Sequence, residues 1–337
     1  MIKQHLVGDN LAFDDMMMMI LKLALLIVGF VVLIYGADFF VDGSSKLAKR
    51  FNIPSFVIGL TICAFGTSAP ELAVSVTASV TGANELAIAN VVGSNFFNLM
   101  FVLGVCSILN PIPVTKNLLR RDYPVSIAAI TLLSVFLMSG SDVSRLEALV
   151  LFCCLVGYMI WTILDTKKHP ELADTQEEDS QKFAAWKCAL YIVGGCAAIV
   201  LGGDLVVDSA KYLGGAIGMS EKLIGFTICA IGTSLPELVT SYTASKKGQN
   251  DMAMGNVIGS NIFNIFGILG ISGLISPISI SEANLNSTLL DCGINVGVCI
   301  LAYVFCITGK KVDRWEGVGL VSIYMAYMVY NIMKDLS

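Results

Sequence analysis

The feature that most restricts what this chain can fold into is a stretch that occurs twice. Gly66-Thr67-Ser68-Ala69-Pro70-Glu71-Leu72 returns as Gly232-Thr233-Ser234-Leu235-Pro236-Glu237-Leu238, 166 residues later. Twenty-two residues after each Glu a second pair matches, Gly93-Ser94-Asn95-Phe96-Phe97-Asn98 and Gly259-Ser260-Asn261-Ile262-Phe263-Asn264. Both copies lie in runs apolar enough to be membrane. A carboxylate in the bilayer core is costly and marks a functional site by default; two at equivalent positions of two repeats mark one more strongly.

Composition supports the membrane reading. The 337 residues are 55% hydrophobic and 14% charged, against about 25% charged in a soluble domain. A helix needs about 20 apolar residues to cross a bilayer. Ten spans are predicted: Met16–Phe40, Pro54–Val80, Glu85–Leu109, Tyr123–Ser139, Leu146–Leu164, Ala184–Val206, Lys222–Ala244, Met252–Ser276, Thr288–Ile307 and Trp315–Ile332. The segment before Met16 carries Asp9, Asp14 and Asp15 and lacks the basic start of a cleavable signal. The net charge of -5 resides in loops and points to no nucleic-acid partner. The ten cysteines show no metal or C-x-x-C spacing; Cys63 and Cys229, equivalent in the repeats, are expected to pack alike as free thiols.

The duplication extends beyond the motifs. Gly36, Asp38 and Asp42 match Gly202, Asp204 and Asp208 at the same offset, and Val143-Ser144-Arg145-Leu146-Glu147 resembles Val312-Asp313-Arg314-Trp315-Glu316 at an offset of 169. The expected organisation is a first five-helix repeat over 1–165, a solvated linker over 166–183, and a second repeat over 184–337, with the densest similarity in 54–110 and 220–276. Five is odd, so the second repeat enters from the opposite side. The fold class is therefore an all-α polytopic membrane protein with inverted-topology repeats, whose ligand sites lie near the midplane between the repeats. Fifteen of 21 Lys and Arg fall on one side if the N-terminus is outside. The positive-inside rule then makes the linker cytoplasmic and both termini external, in the cell membrane.

Within the motif, Pro70 and Pro236 free the carbonyls of Gly66 and Gly232. In hydrocarbon these need new partners, and a cation is one. Thr67, Ser68 and Glu71 share a helix face by their spacing, as do Ser94 and Asn98 on the next helix. The second repeat supplies Thr233, Ser234, Glu237, Ser260 and Asn264. These are hard oxygen ligands, suited to Na⁺ or Ca²⁺ and not to zinc or copper. Gly93, Gly259, Asn95 and Asn261 are expected to serve helix packing, Asn90 and Asn256 structural hydrogen bonds, and Asp38, Asp42, Asp204 and Asp208 interface solvation. His5 and His169 are the only histidines and both lie outside the spans, so no intramembrane Ser–His or H-E-x-x-H enzyme can be built. A channel remains open on residues alone.

At these residues the sequence resembles the α-repeats of the calcium/cation antiporter superfamily, the sodium/calcium exchanger-like proteins, over nearly its whole length. The resemblance implies a ten-helix secondary active antiporter exchanging Ca²⁺ for Na⁺ by alternating access, or, as the alternative, for H⁺. It implies Glu71 and Glu237 as central shared ligands, joined by Thr67, Thr233 and the carbonyls of Ala64 and Ala230. Ser68, Ser94, Ser234 and Ser260 would line flanking Na⁺ sites, with Asn98 a polar central residue. Several relatives carry Asp where this chain has Asn264, so two formal charges are expected here in place of three. Beyond the ions and the lipid bilayer, no cofactor or obligate protein partner is implied.

Overall fold

The computed structural model describes residues 2–140, 142–168, 184–218 and 230–336. Cys229, His169, most of the expected linker and the start of the span predicted from Lys222 lie outside the described residues. Helix α1 (Ile2–Phe51) overruns its predicted span at Phe40. The charges of Asp38, Asp42, Lys46, Lys49 and Arg50 end the apolar run but not the helix, because these residues are tolerated in helices and Lys49 and Arg50 suit its C-terminal dipole. It stops at Asn52, whose φ of 52° is left-handed.

The rest of the first half is α2 (Ser55–Thr67) and α3 (Ala69–Thr81), which meet at a bend of 48°, then α4 (Asn84–Leu109) and α5 (Leu118–Gly140), and α6 (Arg145–Lys168). The second half holds α7 (Ala185–Ala216), α8 (Ala230–Thr233), α9 (Leu235–Lys246), α10 (Asn250–Ile275) and α11 (Glu282–Gly309), and α12 (Arg314–Leu336). Among the described residues seven helices are long and apolar enough to cross a membrane, or eight with the bent pair. The α7 helix likewise outruns its predicted end at Val206, continuing through Asp208 and Lys211.

Polarity is distributed as in a membrane protein. Apolar side chains face outward, Trp315 at 85% exposure and Leu146 at 72%, while Thr67, Ser68, Glu71, Asn98, Ser234, Glu237, Ser260 and Asn264 are buried. Water as the outer solvent would penalise that outer face; lipid does not.

Two short ribbons tie the halves together. Strands β1 (Ile112–Pro113) and β4 (Lys311–Val312) pair antiparallel, with Ile112 opposite Val312. Strands β2 (Asp142–Val143) and β3 (Ile278–Ser279) pair likewise, with Val143 opposite Ile278. By the repeat offsets Ile112 matches Ile278 and Val143 matches Val312. The two ribbons are therefore images of each other under exchange of the halves, the signature of a pseudo-two-fold axis.

Helices α1 and α7 obey the same exchange. A Cβ at Gly202 would sit 2.8 Å from the Gly29 carbonyl oxygen, and one at Gly195 2.7 Å from that of Gly36. These four positions form two equivalent contacts in an antiparallel pair that only glycine permits, the usual device for close helix approach in lipid.

An ion pair departs from the symmetry. Lys247, in the turn after α9, bridges to Asp38 Oδ1 at 2.7 Å and Asp42 Oδ1 at 2.6 Å, and donates to the Asp38 carbonyl at 3.0 Å. Burial opposes its charge, but the two aspartates outweigh that and raise its pKa. The aspartates expected to be merely solvated thus form a clamp on one helix turn. The equivalent of Lys247 in the first half is Thr81, which cannot form an ion pair.

Gly202→Ala should lower the melting temperature of the purified protein in detergent, since overpacking costs about 1–3 kcal/mol. Gly293→Ala, whose added Cβ meets nothing within 4 Å among the described residues, should leave it unchanged or raise it. Equal melting temperatures for both variants would remove the close α1–α7 contact as a structural determinant.

Candidate cation-binding site

The site forms at two helix breaks, between α2 and α3 and between α8 and α9. Ser68 leaves helical geometry with φ -83° and ψ 11°, and Ser234 with φ -93° and ψ 5°. The cause is Pro70 and Pro236 in the first turn of the following helix, where the missing N–H does no harm. The carbonyl of Gly66, freed by Pro70, does not wait for a cation: the Cys196 thiol of α7 donates to it at 3.4 Å. The Ala64 carbonyl accepts the Ser68 N–H at 3.1 Å and keeps a second lone pair. Ala230 opens α8, and its counterpart N–H, that of Ser234, turns to the Ile231 carbonyl at 3.1 Å.

The break puts each glutamate in the first turn of α3 or α9, fully buried. The partial positive charge of a helix N-terminus favours an anion there. The partners cross between halves. Ser68 Oγ donates to Glu237 Oε1 at 2.8 Å, and Ser234 Oγ to Glu71 Oε1 at 3.2 Å. Ser234 Oγ also lies 3.1 Å from Ser94 Oγ. Residues 67 and 233 behave alike too. Thr67 Oγ1 donates to Cys63 O at 3.0 Å and approaches Asn256 Oδ1 at 3.3 Å, while Thr233 Oγ1 reaches Asn90 Oδ1 at 3.5 Å. Each hydroxyl oxygen keeps lone-pair capacity beside these contacts.

Asn90 and Asn256 play the structural part expected of them. Asn90 Nδ2 donates to Ser75 Oγ at 3.0 Å and to the Glu71 carbonyl at 3.3 Å; Asn256 Nδ2 donates to Ser241 Oγ at 2.9 Å. Sequence reasoning passed over Ser75 and Ser241, although each stands four residues after its glutamate and they repeat at the common offset. Gly259 packs as expected, with the Leu60 backbone 2.7 Å from where its Cβ would stand, whereas a Cβ at Gly93 would meet nothing within 4 Å among the described residues, so Gly93 is not the packing residue expected. Asn95 and Asn261, read as packing residues, instead bridge the halves by side-chain hydrogen bonds. The π-helical turns Asn98–Val102 and Phe263–Leu269 had no sequence signal, and such turns concentrate at functional sites.

Five buried oxygen atoms of the predicted ligand set have no hydrogen-bond partner: Glu71 Oε2, Glu237 Oε2, Asn98 Oδ1, Asn264 Oδ1 and Ser260 Oγ. Leaving one buried polar atom unpaired costs about 1–3 kcal/mol and more for a charged group. Five within the predicted ligand set, two of them carboxylate, leave lone pairs that a cation or water can take. Among the described residues no cluster of three or more His, Cys, Asp or Glu could hold a metal. The constellation is thus two carboxylates supplemented by neutral oxygens.

The sequence profile of the sodium/calcium exchanger protein family matches residues 21–164 and again 187–333, one match in each half. The chain belongs to the sodium/calcium exchanger family. It is 39% identical over 319 residues to the putative antiporter CaxA of Alkalimonas amylolytica, covering 92% of this chain and 98% of that protein. It is 34% identical over 350 residues to the sodium/calcium exchanger MaX1 of Methanosarcina acetivorans, covering 93% and 99%. The fold matches the sodium-calcium exchanger NCX_Mj soaked with Na⁺ and Sr²⁺ at a TM-score of 0.80 and 32% identity, over 92% of this chain and 98% of that one. The chain is accordingly a multi-pass membrane antiporter of this family, a transporter by class.

Removing either serine that crosses between halves should weaken cation binding. A hydrogen bond to a charged group is worth about 1.5–3 kcal/mol, so Ser68→Ala and Ser234→Ala should each raise the Ca²⁺ dissociation constant by about tenfold or more in calorimetric titration. Unchanged binding in both would separate these serines from the site.

Proposed function

We propose that the protein exchanges Ca²⁺ for Na⁺ across the cell membrane, with Glu71, Glu237, Thr67, Thr233, Ser68, Ser234, Ser94, Ser260, Asn98, Asn264 and the carbonyls of Ala64 and Ala230 as the ligand set. The observation that carries the reading is the group of five unpaired buried oxygens, two of them carboxylate. One Ca²⁺ offsets the two glutamates. Na⁺ ions entering in its place use the neutral hydroxyl and carbonyl oxygens, which protons would not need, and this favours Na⁺ over H⁺ as the coupling ion. The Na⁺ and Sr²⁺ named for the NCX_Mj structure are consistent with that choice.

The architecture we propose is ten spans in two inverted five-span repeats, 1–165 and 184–337, joined by a cytoplasmic linker over 166–183, with both termini outside. The ribbons support the count. Strand β1 follows the third span and β4 the ninth, so an even number of crossings must separate them. The same holds for β2 after the fourth and β3 after the eighth. On that count α8 and α9 belong to the remaining crossing. Inverted repeats favour alternating access over a channel.

We propose three Na⁺ for each Ca²⁺, so Ca²⁺ uptake into proteoliposomes should follow an imposed Na⁺ gradient and carry one net charge per cycle as current. Silent uptake that follows a pH gradient and ignores Na⁺ would establish proton coupling instead. Glu71→Gln and Glu237→Gln should each abolish exchange in folded protein, because a divalent ion left with one carboxylate is uncompensated in a low-dielectric site; near-normal exchange by either would refute the ligand assignment. A single cysteine in the 166–183 segment, with native cysteines removed, should resist an impermeant thiol reagent applied outside intact cells, and ready labelling would reverse the orientation.

A further inference from the structure

Four buried asparagines form two chains with a fixed direction. Asn95 Nδ2 donates to the main-chain carbonyl of Asn261 at 3.1 Å, and Asn264 Nδ2 donates to Asn95 Oδ1 at 3.0 Å. In the image of this chain Asn261 Nδ2 donates to the main-chain carbonyl of Asn95 at 3.3 Å, and Asn98 Nδ2 donates to Asn261 Oδ1 at 3.3 Å. Each chain ends on an unpaired oxygen, Asn264 Oδ1 or Asn98 Oδ1.

An amide is ambidentate: turned one way it offers a cation an oxygen, turned the other it offers two N–H groups that repel it. Rotating a lone amide exchanges the two at little cost. Here the choice is made at the far end. A main-chain carbonyl can only accept, so it takes the NH₂ of Asn95. That leaves Asn95 only its oxygen to present, which takes the NH₂ of Asn264 and turns the Asn264 oxygen outward. We infer that Asn95 and Asn261 are positioning residues that set the polarity of Asn264 and Asn98 toward the transported cation, each acting on the other half. The inference rests on the cation-exchange reading of the site.

The same logic constrains position 264. An ionised Asp there has no N–H or O–H to give Asn95 and would face Asn95 Oδ1 with a second acceptor, whereas a protonated Asp can donate. Asparagine meets both demands, a donor to Asn95 and an oxygen for the cation, in a single protonation state.

The deciding experiment is a double-mutant cycle on Ca²⁺ uptake driven by Na⁺, reading the half-saturating Ca²⁺ concentration and the maximal rate separately. Asn261→Leu should raise the half-saturating concentration about tenfold with little change in maximal rate, and by less than about twofold in an Asn98→Ala background, because coupled residues are non-additive. Asn95→Leu should behave likewise and lose its effect in Asn264→Ala. A residue that only joins α4 to α10 would give equal effects in both backgrounds, and that result overturns the inference. If one leucine variant does not purify as folded protein, the other pair decides; if neither does, the asparagines are structural and the inference falls. A wild type without Ca²⁺-dependent exchange overturns the functional reading and this one together, whereas a working wild type with additive effects overturns this one alone.

Discussion

Two fully buried glutamates, each held by a serine from the opposite half, are what the rest of the structure must accommodate. A carboxylate in hydrocarbon survives only with donors and a counter-charge. The donors come from Ser68 and Ser234, which reach across because α2 and α8 end where they do. Those ends require the prolines, and the prolines require partners for the carbonyls they release, one of which is the Cys196 thiol on α7. The close α1–α7 approach through glycine then keeps that helix against the break. Site and scaffold are one hydrogen-bonded unit about a pseudo-two-fold axis.

That axis also explains the economy of the ligand set. Each half leans on the other: Glu71 and Glu237 each take a serine donor from the opposite half, and the Asn98 and Asn264 amides each find their acceptor there. Neither repeat can therefore present the site alone, and a displacement of one against the other alters every ligand at once. A transporter needs this, because the affinity of its site must depend on conformation if binding on one side is to lead to release on the other.

Much of this was legible in the sequence because the chemistry of membranes penalises accidents. Glu71 and Glu237 stand out in apolar runs, and the common offset links Thr67 to Thr233, Ser94 to Ser260 and Asn98 to Asn264 without knowledge of the fold. What stayed hidden depends on contacts between segments far apart in the chain. Asn95 and Asn261 look like packing residues until the halves are brought together, and Cys196 carries no sign that it will cap a carbonyl. Helices α1 and α7 also continue past the spans predicted to end at Phe40 and Val206, because hydropathy marks the edge of the lipid and not the end of the hydrogen-bond ladder. The π-helical turns at Asn98 and Asn264 leave no local signature at all.

The Lys247 clamp has a consequence for energetics rather than architecture. On the inverted-repeat architecture proposed above, exchange of conformation between the repeats would take the molecule into a state related by the pseudo-two-fold rotation, and identical repeats would make the two equally populated. Lys247 grips Asp38 and Asp42 in the present arrangement, but after the exchange Thr81 would face Asp204 and Asp208 with no charge to offer. Partly exposed ion pairs contribute about 0.2–1 kcal/mol, and about 1 kcal/mol is roughly a fivefold ratio of populations. A lysine remote from the glutamates thus makes the two halves unequal in charge, and such an inequality would bias the exchange toward one side.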